Sequence, residues 1–263
     1  MLRKRIIFTL IYSEGYFMQS RNFRLQKVGN LVWLEKNYKF QKIAFSLDEL
    51  IVVNSCKKEK NIQEFAAMIS ELVNDVFIPI SAGGGIRSFA DAELLFQSGA
   101  DKIVLNSMLF DSPELITDII KTYGAQSIVA SIDYKNNNGV NEVYIHDGTV
   151  KIPLTLEEYI KHIEALNVGE IYLNSIDKDG TGFGYDFETI AKLEKTIKLP
   201  LIIAGGAGNE SHLIEGLQYN GVSAVATANL FNFIGDGLPN ARKKILTSGQ
   251  NIAWWDQLAD QIV

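Results

Sequence analysis

The chain has 263 residues, 47% hydrophobic and 21% charged, which is the size and composition of a single globular domain with an enzyme-sized core. Its formal net charge of −6 argues against a nucleic-acid or anionic-membrane partner, and its apolar runs are strand-length, too short to span a bilayer. A lone cysteine, Cys56, excludes an intrachain disulfide and points to the cytoplasm. The opening MLRKRIIFTLIYSEGY is basic and apolar, but its apolar run is short and no small-residue cleavage site follows.

The first predicted strand, residues 5–11, is an apolar run of the kind a barrel's inner parallel sheet requires. Residues 12–31 lack a clean period and contain Gly15 and Gly29, so they read as a long loop, a length that often marks an active-site lid. The aromatics Tyr12, Tyr16, Phe17 and Phe23 suit a lid or a docking surface. A helix over 32–42, a strand over 49–53 and a helix over 61–73 follow. The third strand, 77–82, enters Gly83-Gly84-Gly85, then a helix closed by Gly99, a fourth strand at 102–105 and a polar turn at Asn106. Ser112-Pro113-Glu114 opens the next helix with a cap residue, a proline at the first helical position and an acid in the first turn. After the fifth strand, 127–133, Asn138-Gly139 and Asp147-Gly148 flank an alternating stretch at 142–145, predicting a small β-hairpin over that end of the barrel. A helix at 156–166, a strand at 170–175, the turn DKDGTGFGYD, a helix at 187–196 and a strand at 200–204 lead to a second glycine motif. The tail beyond Ile245, with Trp254-Trp255, reads as a short amphipathic segment on the outside.

The stretch ISAGGGIRSFADAELLFQSGADKIVLNSML at 80–109 returns as IIAGGAGNESHLIEGLQYNGVSAVATANLF at 202–231. Gly83/Gly205, Gly84/Gly206, Leu95/Leu217 and Gly99/Gly221 are each separated by 122 positions. Four βα units of about 30 residues fit each half, so the sequence predicts one (βα)8 barrel over 1–263 with an internal two-fold. A strand that gives way to glycines and a helix leaves backbone N–H groups free for an anion. The phosphate candidates are Gly84, Gly85, Asn106 and Ser107 in one half, Gly205, Gly206, Ala228 and Asn229 in the other, and Asp179 and Gly180 after the sixth strand. Together they favour a phosphorylated ligand with a group at each end.

Asp133 ends a buried strand, where partial desolvation raises a carboxyl's pKa toward a useful range, and is the candidate acid or base. The repeat places Ile11 at the equivalent position, and isoleucine cannot transfer a proton. His146, His162 and His212 are too scattered for a metal site, Cys56 has no partner base nearby, and no cofactor is expected.

From KRII at Lys4 to Phe231, the segments SAGGGI, GADK, SID, GEIYLNSIDKDGT, GYD and IIAGGAG make the chain resemble the cyclase (HisF) subunits of imidazole glycerol phosphate synthase. The resemblance implies a (βα)8 barrel that takes ammonia from a partner glutaminase. It then acts on a ribulosyl-formimino-aminoimidazole-carboxamide ribotide, with aspartates at the ends of strands 1 and 5 as acid and base. Carried over, the strand-5 aspartate is Asp133, the strand-1 aspartate falls on Ile11, the first-loop lysine on Gln19 and the strand-2 acid on Asn54. Arg5, Glu49, Lys102 and Glu170 match the family's ammonia-gating ring of four charges, and Asp101 matches a position that meets the glutaminase. Loss of the strand-1 aspartate resembles a paralogous branch associated with surface-polysaccharide genes. There the barrel is thought to pass ammonia to a separate enzyme that amidinates a sugar. The alternatives are an active histidine-pathway cyclase using Glu14 or Lys27, a sugar-phosphate isomerase, and a phosphate-binding regulatory module.

Overall fold

The structure is a computed structural model that describes residues 3–38, 43 and 45–254. Eight parallel strands close on themselves: β1 (Arg5–Ser13), β4 (Glu49–Asn54), β5 (Ile80–Gly83), β6 (Lys102–Leu105), β7 (Ile128–Asn137), β10 (Glu170–Ser175), β11 (Leu201–Ala204) and β12 (Val222–Thr227). Helices return the chain between them: α1 (Leu31–Tyr38), α2 (Ile62–Asp75), α3 (Phe89–Gln97), the short α4 (Met108–Asp111), α5 (Pro113–Tyr123), α6 (Leu156–Ala165), α7 (Phe187–Leu193) and α8 (Glu210–Gln218). The chain is the (βα)8 barrel that its repeat predicts. Among the described residues, no helix is long and apolar enough to cross a membrane.

Strand parity divides the molecule into two cores. Ile7, Ile51, Val104, Val129, Tyr172, Ile202, Ala224 and Ala226 fill the barrel. Residues of the opposite parity, such as Phe8, Leu10, Leu50 and Val52, pack outward against the helices. Local chemistry starts those helices where the barrel needs them. The Asn61 side chain accepts from the N–H groups of Gln63 and Glu64 at the start of α2. Ser88 with Asp91 and Thr155 with Glu158 form capping boxes on α3 and α6. Pro113 opens α5 as predicted, although the Ser112 side chain makes no capping bond.

The glycine turn after β5 is sterically required. Gly84 has φ +91°, and a Cβ there would lie 2.2 Å from the Asn54 carbonyl oxygen. Its repeat partner Gly206, at φ +106°, would put a Cβ 2.0 Å from the Gly184 carbonyl oxygen.

Three stretches differ from the sequence reading. The segment read as a loop over 12–31 is a hairpin, β2 (Tyr16–Arg21) with β3 (Arg24–Gly29), added to an extended β1 through Ile11 to Met18 and Tyr12 to Phe17. The excursion after β7 carries two further strands, β8 (Val140–Ile145) and β9 (Val150–Thr155), so it is a three-stranded meander. The third barrel strand begins at Ile80, because Phe77 is exposed before Pro79. In the tail, α9 (Gly237–Thr247) precedes a bridge from Ile252 to Lys4, which fastens that stretch beside the first strand. Positions 39–42 of the first predicted helix, and Trp255, lie outside the described residues.

Candidate functional site at the strand ends

Inward parity brings the strand ends together around a cavity of about 390 Å³. Asp133, Ile11, Gly84, Gly85, Asn106 and Ser107 line it. So do Asp179, Gly180, Gly205, Gly206, Ala228 and Asn229. Asp133, Ile11 and every phosphate candidate read from the sequence therefore border one space, as do Asn54 and Gln19, whereas Glu14 and Lys27, the substitutes that the cyclase alternative needs, do not.

Asp133 stands in the cavity between two carboxamides. Asn174 Nδ2 donates to Oδ1 at 2.9 Å and Asn106 Nδ2 donates to Oδ2 at 3.1 Å. Burial pushes its carboxyl up to about 7; the Asn174 hydrogen bond opposes the rise, and the charges of Asp179 and Asp147 add to it. A group that titrates there can give or take a proton at neutral pH. A ¹³C-labelled carboxyl titration is expected to show one aspartate signal moving near pH 7, absent in Asp133→Asn. A midpoint near 4 would remove Asp133 as a proton carrier.

Asp179 has a different set of partners. Its Oδ2 accepts from the Ser20 hydroxyl at 2.5 Å and from the Phe23 N–H at 3.0 Å, so it holds the tip of the β2–β3 hairpin against the cavity. Burial raises its carboxyl, and those two hydrogen bonds pull the other way. Phe23 in turn meets Gly148, where a Cβ would lie 2.7 Å from the ring. The hairpin after β1 and the meander after β7 thus touch over the mouth, and Lys60 Nζ ties the meander to the loop after β4 through Asp147 at 2.8 Å.

The opposite end of the barrel carries the four predicted charges as a closed ring. Arg5 pairs with Glu49 at 2.7 Å and with Glu170, while Lys102 pairs with Glu49 at 3.0 Å and with Glu170 at 2.6 Å. The Ser81 hydroxyl donates to Glu49 Oε1 at 2.7 Å. Burial opposes ionisation of Glu170, but the hydrogen bonds and charges of Arg5 and Lys102 hold its carboxyl below the usual range. Asp101 is exposed beside this end, and its Oδ2 accepts the Ile80 N–H at 2.8 Å.

Between ring and cavity lies a pair absent from the sequence reading. Tyr172 on β10 reaches Thr9 on β1, three strands round the barrel, with 3.1 Å between the hydroxyl oxygens. Burial raises the Tyr172 phenol. Parity was the available signal: if Arg5 and Glu170 point inward, so do Thr9, Tyr172 and Asn174. Among the described residues, no group of three or more His, Cys, Asp or Glu side chains could hold a metal ion.

A closed (βα)8 barrel with glycine-turned strand ends around a polar cavity, and an ion-paired ring at the strand starts, defines the class: a half-barrel-duplicated (βα)8 protein. The model of the histidine biosynthesis protein family matches residues 18–235, and the chain belongs to that family. It is 42% identical, over 98% of its length and 97% of the relative's, to a Parasynechococcus marenigrum protein provisionally named imidazole glycerol phosphate synthase subunit hisF2. It is also 32% identical to the imidazole glycerol phosphate synthase subunit HisF of Chlorobium limicola, over 95% of this chain and 98% of that one. The HisF subunit of Exiguobacterium sibiricum is 33% identical over 96% of this chain and its own full length. Within the family the chain is a HisF-like barrel.

Proposed function

We propose that this barrel is the ammonia-conducting subunit of a glutamine amidotransferase complex and no longer performs the cyclase chemistry itself. A glutaminase docks on the strand-start face beside Asp101. Ammonia passes the ring of Arg5, Glu49, Lys102 and Glu170 and leaves at the cavity, where a phosphorylated small molecule binds. A separate enzyme then uses the ammonia, in the leading reading to amidinate a surface sugar in the cytoplasm.

The observation that carries this reading is the contrast between the two ends. The ring makes all four of its mutual ion pairs, whereas the cavity has Asp133 on β7 and only Ile11 at the matching place on β1. Burying two charges of each sign is costly unless they pair, so a complete ring is not a feature that an idle end of a barrel holds cheaply. Co-expression with a HisF-partner glutaminase is expected to yield a one-to-one complex, and Asp101→Lys to weaken it by about tenfold or more. Failure of the unaltered chain to form any such complex would sink the reading in favour of a free-standing phosphate-binding module.

A further inference from the structure

The tip of the β2–β3 hairpin and the loops after β10, β11 and β12 form one continuous strip on the strand-end face. A Cβ on Gly180, in the loop after β10, would lie 2.1 Å from the Ser20 carbonyl oxygen and 2.7 Å from Arg21 Cα, so the hairpin tip rests on that loop. Further along, a Cβ on Gly208 after β11 would lie 2.7 Å from Gly182 Cα, and the Gly208 carbonyl accepts from Asn232 Nδ2, after β12, at 2.7 Å. Asn229 lines the cavity and its Oδ1 accepts the N–H groups of Phe231 and Asn232, so the strip borders the opening.

Its side chains suit a contact surface better than a solvated rim. Phe183, between Gly182 and Gly184, is 83% exposed, and Phe231 and Ile234 are 51% and 39% exposed. Apolar residues exposed singly are ordinary, but several together beside an opening mark an interaction site. At the hairpin end of the strip Arg21 and Arg24 are exposed and stand directly opposite each other across the turn. Like charges in that position repel, and among the described residues neither guanidinium has a carboxylate partner. The acids of the loop beneath them are occupied: Asp177 Oδ2 accepts the Asn136 N–H at 2.7 Å, and Asp179 holds Ser20 and Phe23. In a chain of net charge −6, this strip carries positive charge without compensation.

We propose that the strip is the docking surface for the enzyme that takes up the ammonia, a partner that sets an apolar centre on Phe183 and Phe231 and carboxylates opposite Arg21 and Arg24. This rests on the reading that the barrel conducts ammonia, and it adds the place and the chemistry of the second partner. Ammonia discharged into neutral water takes up a proton and loses the lone pair with which it attacks, so its acceptor has to cover the mouth. Exposed aromatics and arginines are the residues that interface centres favour. Opposed charge on the partner would relieve the repulsion between the two arginines and fix the register of docking.

A purified sugar amidotransferase from the same organism, titrated against the full chain in sedimentation-velocity runs at low and high salt, tests the proposal. One-to-one binding that weakens as salt rises is expected. The paired change Arg21→Glu and Arg24→Glu should weaken it by about tenfold or more, and Phe183→Ser by about tenfold. The same variants should bind a HisF-partner glutaminase within about twofold of the unaltered chain, which also shows that they fold. Amidotransferase binding indifferent to these substitutions would overturn the assignment of the strip. Absence of amidotransferase binding by a chain that still binds the glutaminase would overturn the docking and leave the conduit standing. Binding to anionic vesicles that the arginine changes abolish, with none to the amidotransferase, would reassign the strip to a membrane surface. Failure to bind the glutaminase as well would remove the conduit reading, and this inference with it.

Discussion

Given the ribulosyl-formimino-aminoimidazole-carboxamide ribotide and a high concentration of ammonium salt, the purified chain is expected to turn over roughly 10²–10⁴-fold more slowly than a barrel with both aspartates, the contribution of one positioned acid or base. Asp133 supplies only one proton-transfer group, and Ile11 occupies the matching place on β1. Neither Gln19 nor Asn54 offers a substitute: the Gln19 amide oxygen is engaged by the Leu230 N–H, and Asn54 Oδ1 accepts the Cys56 N–H. Ile11→Asp should restore part of the rate at most, because those two neighbours stay uncharged. Turnover by the unaltered chain near that of a two-aspartate cyclase would mean that the strand-1 carboxylate is dispensable, and the chain would then be a histidine-pathway cyclase.

The second large effect lies at the ring. Glu170→Ala leaves Arg5 and Lys102 each without one of two partners, and removing one member of a buried ionic network costs about 3 kcal/mol. Urea unfolding at pH 7 would register this as a lower midpoint at unchanged slope. Because the folded-state pKa of Glu170 lies below its ordinary value, its ionisation stabilises the fold above about pH 4.3 and that contribution is lost as the pH falls through the folded value. The stability gap between the unaltered chain and Glu170→Gln should accordingly be widest near neutrality and narrow below pH 4. A gap independent of pH would show that the ring contributes packing and not charge.

How far the sequence discloses this molecule can be seen in two turns. Asn138-Gly139 carries positive φ at both residues, +53° and +85°, and asparagine followed by glycine is the pair that such a turn prefers, so the β7–β8 turn was visible although the third strand of the meander was not. The turn of the β2–β3 hairpin has the same left-handed character, +49° and +61°, but its residues are Asn22 and Phe23. Phenylalanine gives no turn signal; it adopts that conformation while its N–H is held by Asp179. The hairpin thus depends on a contact more than 150 positions away, which no local pattern records. The ring was legible only through the family resemblance, which supplied its four positions; charges at the starts of strands are by themselves no signal, since such ends are often exposed. Thr9, Tyr172 and Asn174 went unnoticed because attention to strand ends passes over residues one step lower on the same inward face.

The hydroxyl contact between Tyr172 and Thr9 lies on strands three apart in a ring of eight. An aromatic side chain that reaches so far across the barrel acts as a crossbar. The contact joins two parts of the barrel wall through the packed interior, so each side chain fixes the position of the other. It works as a tie rod: both hydroxyls are buried, so removing either one would leave the other without its partner in the barrel interior.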